Sequence, residues 1–220
     1  MVIIMGISER KERDKQEMRK LILETAMQLF LEEGFGNISI RRIADKIEYS
    51  PATIYLYFKD KDEILYALHT EGFEELFRCQ QSITTTVDPR ERLRRHGEAY
   101  IRFGLEHPEY YNLMFITRGP GKKIHEGDDW TVGRRSYEFF LQDVQASIDA
   151  GIIREADPMV AAFALWSVAH GIVSLILRNR CPMIDQRELH AMALRAFDVL
   201  VQNLGPADTA VVSNISERKK

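Results

Sequence analysis

The sequence predicts an all-α protein, with a small N-terminal helical unit and a larger helical C-terminal domain. Three observations predict it. Ile40, Ile43, Ala44 and Ile47 recur at i, i+3, i+4 and i+7, the stripe of an amphipathic helix. Upstream, Met18, Leu21, Ile22, Ala26, Leu29 and Phe30 form a second stripe that ends at Gly34, a residue suited to a left-handed C-cap. Towards the other end, Met159 to Leu177 is nearly all apolar, and Leu189, Met192, Ala193, Ala196, Phe197 and Leu200 repeat a helical spacing. Helices so apolar need more cover than a solvated surface provides.

Taken in order, MVIIMGI is too short for a signal-peptide core, lacks a basic leader and runs into SERKERDKQE. Residues 1–14 are therefore read as a flexible arm, and residues 15–62 as the small helical unit. Ser39 stands where an N-cap would, its hydroxyl able to accept a backbone N–H. Ser50 and Pro51 repeat the start signal, a capping hydroxyl followed by proline at the first helical position. Two short helices joined by a three-residue turn result, and Ala44 lets them cross closely. On a wheel of about 100° per residue, Ile54 and Phe58 point inward, while Ala52, Thr53 and Leu56 point outward between Tyr55 and Tyr57. Asp60 and Glu63 have capping-box spacing and start the next helix, with Lys61 in its first turn.

An apolar outward face needs a partner. In a helix-turn-helix the second helix enters the major groove of DNA; in an ordinary helical domain another segment would bury Leu56. On the first reading Arg41 reaches a guanine edge or a phosphate. Ala52, Thr53 and Leu56 touch thymine methyls or leave room for close approach. Tyr55 and Tyr57 hydrogen-bond phosphates, Tyr55 alternatively finishing a core contact. Lys61 presents its ammonium near a helix N-terminus, where N–H groups also favour phosphate. Ser39 and Ser50 serve as caps or as phosphate ligands.

Residues from about Lys15 to Leu68 resemble the DNA-binding domain of the TetR family of bacterial transcriptional regulators. The resemblance is carried by AMQLFLEEGFGNISIRRIADKI, the recognition-helix signature TIYLYF, and KDKDEIL. It implies an N-terminal helix-turn-helix domain, a larger helical C-terminal domain and a homodimer. It also implies DNA contacts at Arg41, Pro51, Ala52, Tyr55, Leu56, Tyr57 and Lys61. Arg42, Lys46 and Lys59 lie around the same surface.

Residues 63–204 are read as a ligand-binding and dimerisation domain, and 205–220 as a flexible tail. A helix from Asp60 to Arg78 turns Ile64, Leu65, Leu68 and Leu76 inward, with Gly72 a weak point, and Thr84–Pro89 is a break. Leu93, Gly97, Tyr100, Ile101 and Gly104 mark a helix ending near His107-Pro108, followed by a short aromatic one. Arg118–Asp129 is a polar, glycine-containing loop expected to be mobile, and another helix runs from about Thr131 to Ala150. The apolar helices at 158–179 and 186–203, two from each chain, suit a four-helix bundle with isologous symmetry. Trp166, His170 and Gly171 resemble a Trp-His-Gly signature of one TetR subgroup, and EHPEYYNLMF has a counterpart there. Tyr100, Phe103, Tyr111, Met114, Phe115, Phe140, Trp166 and His170 are the candidate ligand lining, aromatic and soft with few charges; the plainer alternative is that they are core.

The formal net charge is −3, and residues 1–60 carry ten Lys plus Arg against ten Asp plus Glu. This predicts modest non-specific DNA affinity and reliance on a specific operator. Cys79 and Cys181 are too few and too far apart for a disulfide framework, which fits a reducing cytoplasm. The six histidines show no metal-ligand spacing, and GPGKK lacks the P-loop pattern. No metal, cofactor or catalytic residue is expected. No run approaches about 18 uninterrupted apolar residues, so no membrane span is expected. The resulting expectation is a cytoplasmic homodimeric repressor on a palindromic operator, released by a small, mainly apolar or aromatic molecule. A ligand-independent architectural DNA binder and a helical enzyme are the alternatives.

Overall fold

A computed structural model describes residues 6–83, 88–117, 130–154 and 157–205, with the side chains of Ile7 and Phe35 left out. The loop expected at Arg118–Asp129, most of the break at Thr84–Pro89 and all but the first residue of the C-terminal tail lie outside these residues. Among the described residues there are nine α-helices and no strand. They are α1 (Ile7–Glu33), α2 (Ile40–Lys46), α3 (Pro51–Tyr55), α4 (Lys61–Gln81), α5 (Pro89–Glu106), α6 (Pro108–Tyr111), α7 (Thr131–Asp149), α8 (Pro158–Leu177) and α9 (Leu189–Gln202). A π-helical turn, Asn112–Ile116, continues α6.

Helix α1 starts at Ile7, so the part of the expected arm from residue 7 to 14 is helical. The charged run supports this locally. The Gly6 N–H donates to Glu9 Oε2 at 2.8 Å. Gln16 bonds Glu12 at 2.8 Å, and Arg13 pairs with Glu17 at 3.4 Å. Such i,i+4 pairs contribute about 0.2–0.5 kcal/mol each. At the other end Gly34 has φ +79°, a conformation that side chains rarely adopt, and its N–H closes on the Phe30 carbonyl at 2.9 Å. Capping residue and proline recur at later starts. Asp88 caps α5 and Asp157 caps α8, each followed by Pro at the first helical position.

The chain divides into two compact units. Residues 1–72 and 109–130 form the first; residues 73–108 and 131–220 form the second. Part of the stretch that the sequence gives to the C-terminal domain thus packs with the N-terminal helices. The core of the first unit is Ile22, Ala26 and Leu29 of α1, Ile43 and Ala44 of α2, Ile54, Phe58, and Ile64, Leu65 and Leu68 of α4. Leu113, fully buried, joins the same core from the π-helical turn. Gly72 is close-packed there: a Cβ on it would come 2.6 Å from Met114 Sδ.

In the second unit α5 is central, packed against α7, α8 and α9. At the α5–α9 crossing a Cβ on Gly97 would fall on the Phe197 ring. Helix α8, 20 residues, is by length and composition apolar enough to cross a membrane, a test that the core helix of a soluble protein also passes. Counting uninterrupted apolar residues misses this because Ser167, His170 and Ser174 break the run. Its Ala161, Ala162, Leu165, Ala169 and Val173 are buried within the unit, while Met159, Val160, Phe163, Val168 and Leu175 stay exposed, as do Met192 and Val199 of α9.

Candidate functional site

The two short helices of the first unit are fixed at their starts as their sequences suggest. Ser39 Oγ accepts the Arg42 N–H at 3.2 Å, and Ser50 Oγ accepts the Thr53 N–H at 3.2 Å. Pro51 opens α3. The connection between them places Glu48 at φ +59°, in the left-handed region, and the Tyr49 N–H reaches back to the Ala44 carbonyl at 3.0 Å. Helix α3 proper ends at Tyr55. The following turn is closed by the Tyr57 and Phe58 N–H groups, both on the Ile54 carbonyl, at 2.9 and 3.0 Å.

Ile54 and Phe58 are buried in the core, whereas Leu56 is 77% exposed, Tyr55 57% and Tyr49 46%. Ala52, Ser39, Ser50 and Arg41 are exposed, and Pro51, Thr53, Tyr57 and Lys61 are half-buried. The ten residues expected to contact DNA therefore all keep accessible surface, and Ala52, Tyr55 and Leu56 form the outward side of one short helix. The Glu63 N–H donates to Asp60 Oδ1 at 2.8 Å, and the Glu63 carboxylate accepts from the Lys59 N–H at 2.6 Å. These two hydrogen bonds set the start of α4 beside the exposed face.

Helix α1 holds this pair from two ends. Arg19 Nη1 donates to the Tyr57 carbonyl at 2.9 Å, and its guanidinium lies 4.2 Å over the Phe58 ring. One side chain thus satisfies an orphan carbonyl just past α3 and makes a cation–π contact. At the far end Arg42 grips Glu33 with two nitrogens, Nη2 at 2.6 Å and Nε at 3.0 Å from Oε1. That hydrogen-bonded guanidinium holds the Glu33 carboxyl below the usual carboxylate range. Lys46 Nζ stands 3.5 Å from Glu32. Arg41 makes no ion pair among the described residues, so the two adjacent arginines differ: Arg42 braces α2 on α1, and Arg41 remains on the surface.

The eight residues proposed as a ligand lining are divided between the two units. Tyr111, Met114 and Phe115 belong to the first unit, Tyr111 and Phe115 with ring centroids 5.5 Å apart. In the second unit Tyr100 Oη lies 3.1 Å from His170 Nδ1, and the Trp166 ring is 5.6 Å from that of His170. Burial, and secondarily the charge of Arg178, pushes the His170 imidazole below its ordinary value. Phe103 is fully buried near His107. Phe140 lies 5.4 Å from the ring of His96. Tyr100, Phe103, Tyr111 and Met114 are buried, and Phe115, Phe140, Trp166 and His170 are half-buried; helical spacing does not say which neighbour each meets.

Buried polar groups of the second unit carry no sequence signal of their own. His96 Nε2 is 2.8 Å from Asp143 Oδ2, and Arg92 Nε is 3.0 Å from Asp143 Oδ1. Ser136 Oγ donates to Gln80 Oε1 at 2.7 Å, both side chains buried. Arg19, too, is invisible to periodicity, because its partner lies 38 residues away.

Comparison with known proteins gives two successive matches along the chain, the second of which spans residues of both units. Residues 22–68 match the family profile described as bacterial regulatory proteins, tetR family, and residues 93–204 match the tetracyclin repressor-like C-terminal domain. The chain is 29% identical over 100 residues to the uncharacterized HTH-type transcriptional regulator YuxN of Bacillus subtilis, covering 45% of this chain and 34% of that protein. It is 29% identical over 102 residues to the HTH-type transcriptional activator FasR of Mycolicibacterium smegmatis, covering 46% and 47%. The chain thus spans about a third to a half of the length of these relatives. The crystal structure of the TetR family transcriptional regulator PfmR from Thermus thermophilus superimposes with a TM-score of 0.63 at 26% identity, over 84% of this chain and 98% of that one.

Proposed function

The chain belongs to the TetR family of bacterial transcriptional regulators, and from that premise we propose that it is a cytoplasmic, ligand-responsive repressor acting as a homodimer on a palindromic operator. One observation carries the DNA-binding reading. Leu56 and Tyr55 stand 77% and 57% exposed on a short helix whose other side is locked into the core. Such a face matches a major groove, with Arg41, Lys61 and the tyrosine hydroxyls placed on the flanking phosphates. Ser39 and Ser50 act first as caps.

The dimer is assigned to the exposed apolar faces of α8 and α9. Pairing them across a two-fold axis covers Met159, Val160, Phe163, Val168 and Leu175 of α8 with Met192 and Val199 of α9. It would also set the two recognition helices about 34–36 Å apart, or a multiple of that spacing. The effector is assigned to the second unit, where Phe103, Phe140 and Trp166 offer apolar contact and Tyr100 with His170 a polar anchor. Ligand and operator would favour different states of the dimer, with coupling of about 1–3 kcal/mol.

The test is selection of bound fragments from random duplex DNA, with and without a metabolite extract, followed by a reporter carrying the enriched site. The expected result is an inverted repeat that enriches only without the active fraction, and a reporter silenced by the protein. Lack of any enriched repeat would remove the reading. FasR, a matched relative, is named an activator; reporter output that rises with the protein would favour that sign of control.

A further inference from the structure

The stretch Ser50–Phe58, SPATIYLYF, contains no Arg, Lys, Asn, Gln, Asp or Glu. Reading guanine bidentately needs Arg or Lys, and reading adenine needs Asn or Gln. Helix α3 has neither. Its two aliphatic hydroxyls are engaged with each other: Ser50 Oγ and Thr53 Oγ1 are 3.0 Å apart, and Ser50 Oγ also accepts the Thr53 N–H. Of the nearby cations on α2, Arg42 is held by Glu33 and Lys46 stands at Glu32, which leaves Arg41 as the one on that helix for a purine edge. What this stretch exposes is Ala52, the isobutyl group of Leu56 and the Tyr55 ring, with Thr53 half-buried.

Among base edges in the major groove, one feature is apolar: the C5 methyl of thymine. We propose that α3 reads its half-site by thymine methyls packed against Leu56, Ala52 and the Thr53 methyl, leaving purine recognition to side chains outside α3. This rests on the operator-binding reading and names the mark that the recognition helix seeks. It requires thymines at fixed positions in each half-site, where a reader with arginine or glutamine would require particular purines.

Deoxyuridine pairs as thymine does and lacks only that methyl, so it isolates the contact. The probe is the duplex enriched from the random library, synthesised with dT or dU at the enriched thymines, plus a control with dU only outside the half-sites. Losing one buried methyl costs about fourfold in affinity, so one in each half-site of a dimer costs about sixteenfold. The control duplex should bind as the parent does. Leu56→Ala should shrink the dT-to-dU ratio, and because Leu56 is 77% exposed this variant keeps the fold. Equal binding of dT and dU duplexes, half-sites without fixed thymines, or an undiminished ratio in Leu56→Ala would each overturn the inference while operator binding stands. Failure to enrich any sequence removes the operator reading, and this inference with it.

Discussion

Arg19→Met removes the clamp on the recognition helix while keeping most of the side-chain length. Two contacts are lost: the 2.9 Å hydrogen bond to the Tyr57 carbonyl and the guanidinium over Phe58. A hydrogen bond to a charged group contributes about 1.5–3 kcal/mol net, and an accessible cation–π contact about 0.5–1 kcal/mol. Arg19 is half-buried, so water can take over part of the carbonyl's requirement in the variant. The expected loss is therefore about 1–2 kcal/mol, at or below the bottom of the summed contributions. With a urea slope of about 1–3 kcal/mol/M, the midpoint should fall by about 0.3–2 M. Hydrogen exchange adds a local readout, because the Tyr57 and Phe58 amides that close the turn on Ile54 should lose protection before the core of α4 does. Operator affinity should fall with them. Arg19→Lys should recover little, since an ammonium lacks the planar fork that bonds and stacks at once. A variant with unchanged urea midpoint, exchange and operator affinity would refute the positioning role.

Other perturbations probe the rest of the molecule. Gly97→Ala should destabilise the second unit by about 1–3 kcal/mol, because its Cβ falls on the Phe197 ring; Phe197→Leu in the same chain should restore part of that loss in thermal melts. On Gly171 a Cβ meets no atom of the described residues within 4 Å, so Gly171→Leu should fold normally yet sediment as a monomer. A dimer of unchanged affinity would take that face of α8 out of the interface. His69, buried in α4 and stacked on Tyr66 at 5.8 Å, is pushed down to about 4 by burial. A histidine depressed in the folded state contributes stability that is complete above its unfolded value of about 6.5 and is lost as pH falls towards 4. The loss is on the order of 3 kcal/mol. His69→Phe should flatten urea midpoints over that window, and an equally steep decline would rule out His69 as the source.

What the sequence made legible is what is local. Ser39, Ser50, Pro51 and Gly34 act within a few residues of themselves, so the starts of α2 and α3 and the end of α1 follow from spacing alone. The inward positions of Ile54 and Phe58, and the exposure of Leu56, follow from a period of 3.6. What depends on closure between distant segments was hidden. Arg19 meets Tyr57 only once α1 folds across α3, and Leu113 enters the first unit's core from a stretch that the chain order gives to the second domain. The aromatic lining shows the same limit. Tyr111 and Tyr100 are both buried as their spacing requires, yet they end in different units, because a helical period fixes a face and not the helix it meets.

The neutral charge of the first sixty residues also acquires a physical meaning. Glu32 and Glu33, at the end of α1, are not idle counter-charges, since they hold Lys46 and Arg42 of α2. A cation that stays so engaged releases no counterion from DNA. If Arg41, Lys59 and Lys61 reach phosphates in each protomer, a dimer neutralises about six, for a salt slope of about −5; adding Arg42 and Lys46 would bring it to about −9. With the pairing seen here the slope should lie at the shallow end and non-specific binding should be weak. Glu33→Gln keeps the side chain's size and frees Arg42 in both protomers, so the slope should steepen by about two while non-specific affinity rises. Operator and random duplexes titrated from low to high salt measure both quantities. An unchanged slope would mean that Arg42, freed from Glu33, still does not reach the backbone, and that bracing α2 is its whole role.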